Sequence, residues 1–353
     1  MSAQGPLAGV RVIDLSELAP GPFLTRILAD LGAEVIKVER PQGDLARIMA
    51  PGTFEVLADG KQLETVDLKD PAGLARLKEL LADADLLVEG FRPGVLDRLG
   101  LGPAVTAELN PRLIHVSISG FGQSGPNVKA AGHDINYQAM AGLLALGGGL
   151  DQPPALGQGV PIADLTGALY ATIATLAALQ QRHRTGRGQH LDVAITDAAM
   201  HAMNLQLGQY ELDGVTDLAE IRRRAFTKPG YGVFPTSDGR WVSIASIEQH
   251  FWDRLVEAFG LDESLKGAPH RDRVQRNAEI NQHVAARTAT MTAREVVDAL
   301  SAVDVPVAEV VNPAELTDSE QATARGLVAR TQANGLAYIR FPVAFKEEPD
   351  REL

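Results

Sequence analysis

The sequence contains no cysteine among its 353 residues. Disulfide frameworks, thiolate zinc sites and cysteine nucleophiles are therefore excluded. Positive charge is also scarce, because 33 lysines and arginines stand against 45 aspartates and glutamates, which gives a net charge of −12. Proteins that neutralise the phosphates of a nucleic-acid duplex usually carry the opposite balance, so we expect no nucleic-acid partner. An anionic ligand would need a local basic pocket within this acidic chain.

Secretory and membrane-spanning patterns are missing as well. Residues 1–6 show no basic region followed by an apolar core. The most apolar helical run, residues 168–179, is too short to span a bilayer and is interrupted by threonines. These features predict a soluble, cytoplasmic protein with no membrane partner. The length of 353 residues predicts one large or two medium domains, and a hydrophobic content of 45% is enough to bury a core.

Strand-like and helical patterns alternate along the first two thirds of the chain. A strand at 10–14, a helix at 23–31 and a strand at 34–38 form a βαβ unit, which implies a parallel sheet. The pattern recurs in predicted strands at 63–68, 86–88, 113–119 and 190–194 and in predicted helices at 71–84, 136–146, 165–182 and 196–210. We therefore predict an α/β fold with a Rossmann-like, parallel-sheet large domain over residues 1–212.

The composition changes after residue 212. Residues 213–229 are polar, include the run Arg222-Arg223-Arg224, and are interpreted as a linker. A hairpin around Asp238-Gly239, helices at 251–259, 277–288 and 293–302 and a strand at 305–311 predict a smaller α+β domain over residues 230–325. Residues 326–353 are expected to form a C-terminal segment that returns toward the large domain.

The glycine-rich motif at residues 120–125 does not have the function that its pattern first suggests. Residues 120–125 match the pattern G-x-G-x-x-G and follow a predicted strand, but Pro126 comes next and no helix begins at Gly125. The helix terminus that binds phosphate in dinucleotide sites is therefore missing. We interpret the motif as a turn that shapes the wall of an active site.

Basic residues recur near the carboxyl ends of the predicted strands, where open α/β sheets bind ligands. The set comprises Lys37, Arg40, Lys69, Arg92 and Arg98. Together they form a candidate patch for the phosphates of an anionic ligand. Taken singly, each is explained as well by ordinary surface charge.

Three titratable residues stand at predicted helix starts: His133, Asp164 and Glu248. An aspartate that opens an apolar helix can cap its free N–H groups, and a glutamate there favours the positive end of the helix dipole. A histidine and a carboxylate facing each other across an acidic carbon also suit proton removal and return. Spacing alone does not choose between these roles.

Several motifs resemble those of family III CoA-transferases. They lie at residues 7–12, 28–37, 67–69, 92–94 and 185–189. Two further motifs, Gly132-His133-Asp134-Ile135-Asn136-Tyr137 and Ile247-Glu248, are similar to those of the α-methylacyl-CoA racemase branch of that superfamily.

This resemblance implies an isomerase of lipid metabolism that inverts the α-carbon of 2-methylacyl-CoA thioesters through an enolate. It makes His133 and Asp164 the two proton-transfer bases and gives Glu248 the role of supporting His133. Asp134 and Tyr137 would join the basic residues in contacting the acyl-CoA substrate. No metal and no separate cofactor is implied, because CoA is part of the substrate, and an interlocked homodimer is expected.

Two alternatives remain open at this stage. Transferases of the family place an aspartate at the position of Asp164 and use it as a nucleophile that forms a mixed anhydride. CoA transfer between carboxylic acids would therefore need Asp164 but not His133. A non-catalytic acyl-CoA-binding protein would need neither, and the joint presence of His133, Asp164 and Glu248 argues against it. The identity of the acyl chain is not readable from the sequence.

Overall fold

The computed structural model describes residues 5–150, 152–155 and 159–345. These residues form two compact units, each with its own hydrophobic core. The first unit comprises the chain up to residue 147, residues 154–209 and the chain from residue 317, and the second comprises residues 148–153 and 210–316.

A six-stranded parallel sheet forms the centre of the first unit. Its strands are β1 (Arg11–Asp14), β2 (Glu34–Glu39), β3 (Gln62–Thr65), β4 (Leu86–Glu89), β5 (Ile114–Ser119) and β6 (His190–Ala194). They lie in the order β3-β2-β1-β4-β5-β6, with every neighbouring pair parallel. This is the doubly wound order of a Rossmann-like fold, in which the chain reverses direction across the sheet between β1 and β4. The predicted α/β fold is confirmed.

Helices cover both faces of this sheet. In chain order, the helices up to residue 213 are α1 (Pro20–Asp30), α2 (Ala46–Met49), α3 (Pro51–Ala58), α4 (Pro71–Ala82), α5 (Val95–Arg98), α6 (Pro103–Leu109), α7 (Asp134–Met140), α8 (Ile162–Thr185), α9 (Ile195–Ala202) and α10 (Asn204–Asp213). A 3₁₀ turn follows α7 at Leu144–Leu146. Proline occupies the first turn of α1, α3, α4 and α6, where its fixed φ suits a helix and its missing N–H is not needed.

The central strands are buried on both faces because their residues alternate between two cores. Val12 and Val88 pack with the side of the sheet that carries α1 and α8. Ile13 and Leu87 pack on the opposite side, which carries α4. Parallel strands covered on both faces are expected to be almost continuously apolar. This explains why the sequence shows short apolar runs here in place of strict alternation.

Helix α8 is longer than the apolar run predicted at residues 168–179. Among the described residues it is the one helix long and apolar enough to cross a membrane, and 44% of its most apolar window is buried inside the protein. It packs against α1, α9 and β5 and carries Asp164 in its first turn. Core helices of soluble proteins show the same length and composition, so we interpret α8 as the central helix of the first unit.

The second unit is built on a three-stranded antiparallel sheet. Its strands β7 (Tyr231–Pro235), β8 (Trp241–Ala245) and β9 (Val307–Glu309) lie in that order. Its helices are α11 (Leu218–Phe226), α12 (Gln249–Phe259), α13 (His270–Gln275), α14 (Asn277–Thr288) and α15 (Ala293–Ser301), with 3₁₀ turns at Glu263–Leu265 and Pro313–Asp318. The buried Trp252 lies in the core, and its indole N–H donates to the carbonyl of Leu265 at 2.8 Å.

The segment 213–229, interpreted from sequence as a linker, contains helix α11. The side chain of Asp217 accepts a hydrogen bond from the N–H of Glu220 and so caps the helix start. Glu220 in turn forms ion pairs with Arg223 and Arg224 one turn along. The polar composition therefore marks a helix stabilised by a local cap and local ion pairs, while the buried Arg222 donates to the carbonyl of Gln152 at 2.7 Å.

The C-terminal part of the chain belongs to the first unit. It contains α16 (Glu320–Ala324) and an antiparallel pair, β10 (Val328–Arg330) and β11 (Ala337–Ile339). The guanidinium of Arg26 on α1 donates to the hydroxyl of Tyr338 at 2.6 Å and forms ion pairs with Asp30 and Asp59. These contacts join the described part of the C-terminal segment to α1. Residues 346–353 of that predicted segment lie outside the described residues.

Candidate active site

Two adjoining cavities open in the first unit where the strand order reverses. One, the base cavity, has a volume of about 480 Å³ and lies among the segments that follow β1, β4 and β5 and the starts of α7 and α8. The other, the strand-end cavity, has a volume of about 570 Å³ and lies at the carboxyl ends of β1 to β4. The two share Glu17, Leu18, Gly90 and Phe91. The carboxyl edge at such a reversal is where open α/β sheets bind ligands.

His133 and Asp164 both line the base cavity. His133 is the extended residue just before α7, its side chain is exposed, and its N–H donates to the side chain of Asn136 at 3.0 Å. Asp164 lies in the first turn of α8 and is partly buried. Two residues that are 31 positions apart in sequence are thus brought to one cavity by two helix starts.

Asp134 connects these two helix starts. Its Oδ1 accepts hydrogen bonds from the backbone N–H of Ala163 at 2.8 Å and of Asp164 at 3.1 Å, while Oδ2 accepts from Gln138 at 2.5 Å. Two of the free N–H groups at the start of α8 are therefore satisfied by a carboxylate on α7. The sequence allowed Asp164 to cap α8, but Asp164 lies inside this helix and Asp134 caps it instead. Asp134 was predicted to contact CoA, but its carboxylate is occupied by these contacts.

Burial raises the pKa of Asp164 to about 6, and the negative charge of the neighbouring Asp134 contributes in the same direction. A carboxyl group with a pKa of this kind can both accept and release a proton near neutral pH. Perturbed carboxyl groups in a cleft are characteristic of catalytic sites.

Tyr137 forms part of the wall beside these residues. Its hydroxyl donates to the carbonyl of Gly132 at 2.6 Å, and its ring packs edge-on against Phe121. A Cβ atom added at Gly120 or Gly132 would lie 2.5 or 2.6 Å from this ring, which explains glycine at both positions. The chain after Gly125 forms turns, and no helix begins before Asp134. The glycine motif therefore shapes a wall, as the sequence indicated.

The predicted basic residues fall into three groups. Arg92 lines the base cavity, and Arg40 and Lys69 line the strand-end cavity. Arg98 lies on α5 and lines neither cavity.

Lys37 does not belong to the surface patch predicted from sequence. It is only 1% exposed, and its ammonium group donates to the carbonyl of Ser16 at 2.7 Å and pairs with Asp44 at 2.8 Å. The side chain points from β2 into the interior because the buried carboxylate of Asp44 compensates its charge. Lys37 therefore supports the segment after β1 and is not available to a ligand.

Sequence reasoning missed the buried cluster beneath that segment. Asp14 ends β1 and is fully buried, and its Oδ1 accepts the N–H of Ser16 at 3.0 Å. Lys61 pairs with Asp14 at 3.2 Å and donates to Thr25 at 2.6 Å. Burial opposes ionisation of Asp14, but Lys61, Lys37 and two hydroxyls outweigh it and lower the pKa of the carboxyl. The one available signal was a charged residue at the end of a buried strand.

The same cluster holds an unusual backbone conformation at the boundary of the two cavities. Leu18 has a φ of 66°, a left-handed value that is rare for a branched side chain. Its N–H donates to the buried carboxylate of Asp44 at 3.1 Å. Backbone strain of this kind clusters at ligand sites.

Glu248 lies in the second unit, immediately before α12, where its side chain is exposed and forms no cap hydrogen bond. Its predicted support of His133 stays a prediction. Among the described residues, no group of three or more histidine, aspartate or glutamate side chains is arranged to hold a metal ion.

Comparison with known proteins gives a consistent result. Residues 7–352 match the family model described as CoA-transferase family III. The chain is 35% identical to succinyl-CoA–D-citramalate CoA-transferase of Chloroflexus aurantiacus, across 91% of this chain and 82% of the relative. It is 37% identical to α-methylacyl-CoA racemase of Homo sapiens, across 72% of this chain and 65% of the relative. A solved CAIB/BAIF family protein from Brucella suis superposes with a TM-score of 0.86 at 31% identity, covering 98% and 94% of the two chains.

The contact between Asp134 and Asp164 leads to a testable pKa change. Replacing Asp134 with Asn removes a negative charge that raises the pKa of Asp164, so this pKa is expected to fall below about 6. It should stay above the ordinary value of 3.8, because burial is the larger cause and is retained. Carboxyl ¹³C NMR titration of aspartate-labelled protein would measure the change. Asp253→Asn in the second unit is the control, and an unchanged Asp164 pKa in Asp134→Asn would contradict the assignment.

Proposed function

The chain belongs to CoA-transferase family III, and we propose that it is an α-methylacyl-CoA racemase, an isomerase that inverts the carbon next to the thioester of 2-methylacyl-CoA substrates. The observation that carries this proposal is the presence of His133 and Asp164 in one cavity. A 37% identical relative named α-methylacyl-CoA racemase supports it. We place the reaction in cytoplasmic lipid metabolism.

Racemisation requires two groups that exchange roles with the configuration of the substrate. One group removes the α-proton, a planar enolate forms, and the protonated second group returns a proton to the other face. Each positioned base contributes roughly 10²–10⁴-fold to the rate. The raised pKa of Asp164, about 6, suits a carboxyl that must act as acid in one direction and as base in the other.

The enolate oxygen needs hydrogen-bond donors directed at it. Asp134 is the first residue of α7, and the first N–H groups of a helix have no acceptor within that helix. Its backbone N–H is therefore the proposed donor, while its carboxylate holds α8. Loss of one such donor typically costs about 3–4 kcal/mol of transition-state stabilisation.

CoA binding is assigned to the strand-end cavity. Arg40 and Lys69 line it and supply positive charge for the phosphates, and Arg92 lies in the adjoining base cavity. Phe91 lines both cavities, so one acyl-CoA molecule would extend past it from one to the other. Because CoA is part of the substrate, the proposal includes no separate cofactor.

A second candidate function is CoA transfer between carboxylic acids. Its specific support is the 35% identity to a CoA-transferase across 91% of this chain. In this chemistry the carboxylate of Asp164 attacks the thioester carbonyl, expels CoA as a thiolate and forms a mixed anhydride. A pKa of about 6 leaves Asp164 mostly ionised at neutral pH, so the group suits this role as well. His133 is the residue that separates the two functions, since transfer does not require it.

We also propose a homodimer. The outward face of α8 carries exposed apolar side chains at Leu169, Ile173 and Leu176, which are 49%, 61% and 36% exposed. Their spacing places them on one stripe of the helix. Leu205, at the start of α10, is 86% exposed. Exposed apolar surface of this kind commonly marks a protein–protein interface.

The racemase proposal predicts exchange of the α-proton with solvent. Wild-type protein incubated with one enantiomer of a 2-methylacyl-CoA in D₂O should incorporate deuterium at the α-carbon and invert its configuration, as followed by mass spectrometry and chiral analysis. His133→Ala and Asp164→Asn should each lose at least about 10²-fold in rate, because each removes one base. His183→Ala, an exposed histidine in the last turn of α8, is the control and should retain activity.

Other outcomes have equally definite meanings. No exchange, together with CoA transfer to an added acid and a hydroxylamine-sensitive adduct lost in Asp164→Asn, would identify a transferase and leave His133 a structural residue. Tight acyl-CoA binding without exchange or transfer would identify a binding protein.

The CoA assignment predicts a change in KM with little change in kcat. Arg40→Gln should raise KM for the acyl-CoA by about tenfold, because a charged contact to phosphate is worth roughly 1.5 kcal/mol. Steady-state kinetics would measure both constants. Arg76→Gln, which removes an exposed arginine on α4 away from both cavities, is the matched control. A fall in kcat with unchanged KM would refute the assignment.

The proposed dimer predicts a change in mass when charge is placed on the α8 stripe. Ile173→Asp should shift the protein from dimer to monomer in sedimentation velocity, since it buries an unpaired carboxylate in the interface. Val105→Asp, at an exposed apolar position on α6, should leave the assembly unchanged. A monomeric wild-type protein, or a dimer unaffected by Ile173→Asp, would contradict the assignment.

A further inference from the structure

The two segments that border both cavities are attached to the sheet in the same way. Asp14 ends β1, and its carboxylate accepts the N–H of Ser16 two residues along at 3.0 Å. Glu89 ends β4, and its Oε2 accepts the N–H of Phe91 two residues along at 2.7 Å. Each carboxylate thereby sets the direction in which the chain leaves its strand.

The two carboxylates differ in what compensates their charge. Asp14 has the buried ammonium of Lys61 at 3.2 Å. Among the residues that the structure describes, no lysine or arginine pairs with Glu89, although its side chain is only 5% exposed. Its neighbours from the adjacent strand β5 are Ser117 and His115, whose Nε2 lies 4.0 Å from Oε1.

Further polar groups complete the surroundings of Glu89. Asp97, at α5, adds a second negative charge nearby. On β6, His190 accepts or donates a hydrogen bond with the hydroxyl of Ser117 at 2.9 Å and lies close to Asp192. None of these groups supplies a permanent positive charge. The ionisation of Glu89 therefore depends on solution pH in a way that the ionisation of Asp14 does not.

The tautomer of His115 follows from its other contact. The hydroxyl of Thr106 donates to the carbonyl of Pro103 at 3.1 Å, so its oxygen accepts the hydrogen on Nδ1 of His115 at 3.0 Å. Neutral His115 then presents the lone pair of Nε2 toward Glu89. This atom is buried and has no hydrogen-bond partner among the described residues. A protonated Glu89 thus has an acceptor facing it.

We propose that Glu89 is a positioning residue of the acyl-CoA site, which holds residues 90–92 in place through the N–H of Phe91 and holds them less firmly when it takes up a proton on the oxygen that faces His115. Gly90 and Phe91 line both cavities, and Arg92 lines the base cavity. The proposal rests on the assignment of these cavities to acyl-CoA. It adds a residue that touches neither substrate nor reacting atoms.

The pKa values of Glu89 and His115 show in which direction pH changes the hydrogen bond to Phe91. Burial raises the pKa of Glu89 to about 7, and burial lowers the pKa of His115 to about 4. Near neutral pH, Glu89 therefore changes between a neutral acid and a carboxylate beside a neutral imidazole. A carboxylate binds an N–H more strongly than a neutral carboxyl does, so Phe91 is held more firmly above pH 7.

The same shift has a defined consequence for stability. Between pH 4.5 and about 7 the folded protein keeps a proton on Glu89 that the unfolded chain has already released. The stabilisation from Glu89 is therefore fully present below pH 4.5 and is lost as pH rises through about 7. Ionised Glu89 thus improves the order of residues 90–92 at a cost to global stability. If Glu89 were purely structural, its replacement would change the order of residues 90–92 and the global stability in the same direction.

Glu89→Gln is the informative variant, because its amide reproduces the neutral acid at every pH. In wild-type protein without ligand, hydrogen-exchange protection of the Phe91 amide, corrected for the intrinsic rate, should increase about fivefold between pH 6 and pH 8. In Glu89→Gln it should stay at the pH 6 level, while the melting temperature at pH 8 rises above that of the wild type. Glu108→Gln, an exposed carboxyl on α6, is the control.

Binding of coenzyme A, measured by isothermal titration calorimetry, tests the link to the site. The phosphates of CoA and the carboxyl of Asp164 titrate in both proteins, so the ratio of the two Kd values isolates Glu89. This ratio should be close to one at pH 6 and about five at pH 8, with Glu89→Gln the weaker binder.

The outcomes separate the two proposals. If hydrogen-exchange protection of the Phe91 amide rises between pH 6 and pH 8 but CoA does not bind, the acyl-CoA assignment is overturned and Glu89 remains the residue that holds this segment. If the protection of the Phe91 amide does not change between pH 6 and pH 8, the positioning role is overturned even if CoA binds. Equal losses of stability and of CoA affinity in Glu89→Gln at both pH values would overturn it as well.

Discussion

The candidate site depends on the hydrogen bonds that the carboxylate of Asp134 accepts from the start of α8. Helix α8 begins without a capping side chain of its own, since Pro161 precedes it, and Asp134 supplies the missing acceptor from the start of α7. Because His133 immediately precedes Asp134, the same bond fixes the histidine relative to Asp164. The negative charge that holds α8 also helps to raise the pKa of Asp164. One carboxylate therefore holds the two helix starts together and contributes, after burial, to the raised pKa of Asp164.

Buried carboxylates at strand ends extend this principle to the walls of the cavities. Burying a charge is costly unless it is paired or hydrogen-bonded. The protein meets this cost with a lysine at Asp14 and with the hydroxyl of Ser117 and the N–H of Phe91 at Glu89. The first solution gives a segment whose attachment is permanent, and the second gives one that responds to pH. Both stand at the reversal of strand order, where the backbone turns away from the sheet and needs acceptors for its free N–H groups.

The fold by itself does not choose the reaction, because one fold supports several chemistries through its site residues. Relatives named for CoA transfer and for racemisation are similarly close to this chain. Asp164 suits both reactions, since a buried carboxyl with a pKa near 6 can move a proton or act as a nucleophile. The discriminating group is His133, which the proposed racemisation uses for proton transfer and which CoA transfer through a mixed anhydride does not require. Its position in the same cavity as Asp164 is the reason for preferring racemisation.

The sequence alone determined the α/β class, the parallel sheet and the positions of its six strands, because apolar periodicity and the turns between elements are local properties. It also singled out His133, Asp164, Arg40, Lys69 and Arg92, which the structure places at one edge of the sheet. Only the tertiary structure decided that Lys37 is buried against Asp44 and that Asp134, not Asp164, caps α8. It alone brought Glu89 beside His115. These outcomes depend on pairings between residues that are distant in sequence. Local apolar periodicity does not determine which buried charged residues pair with each other.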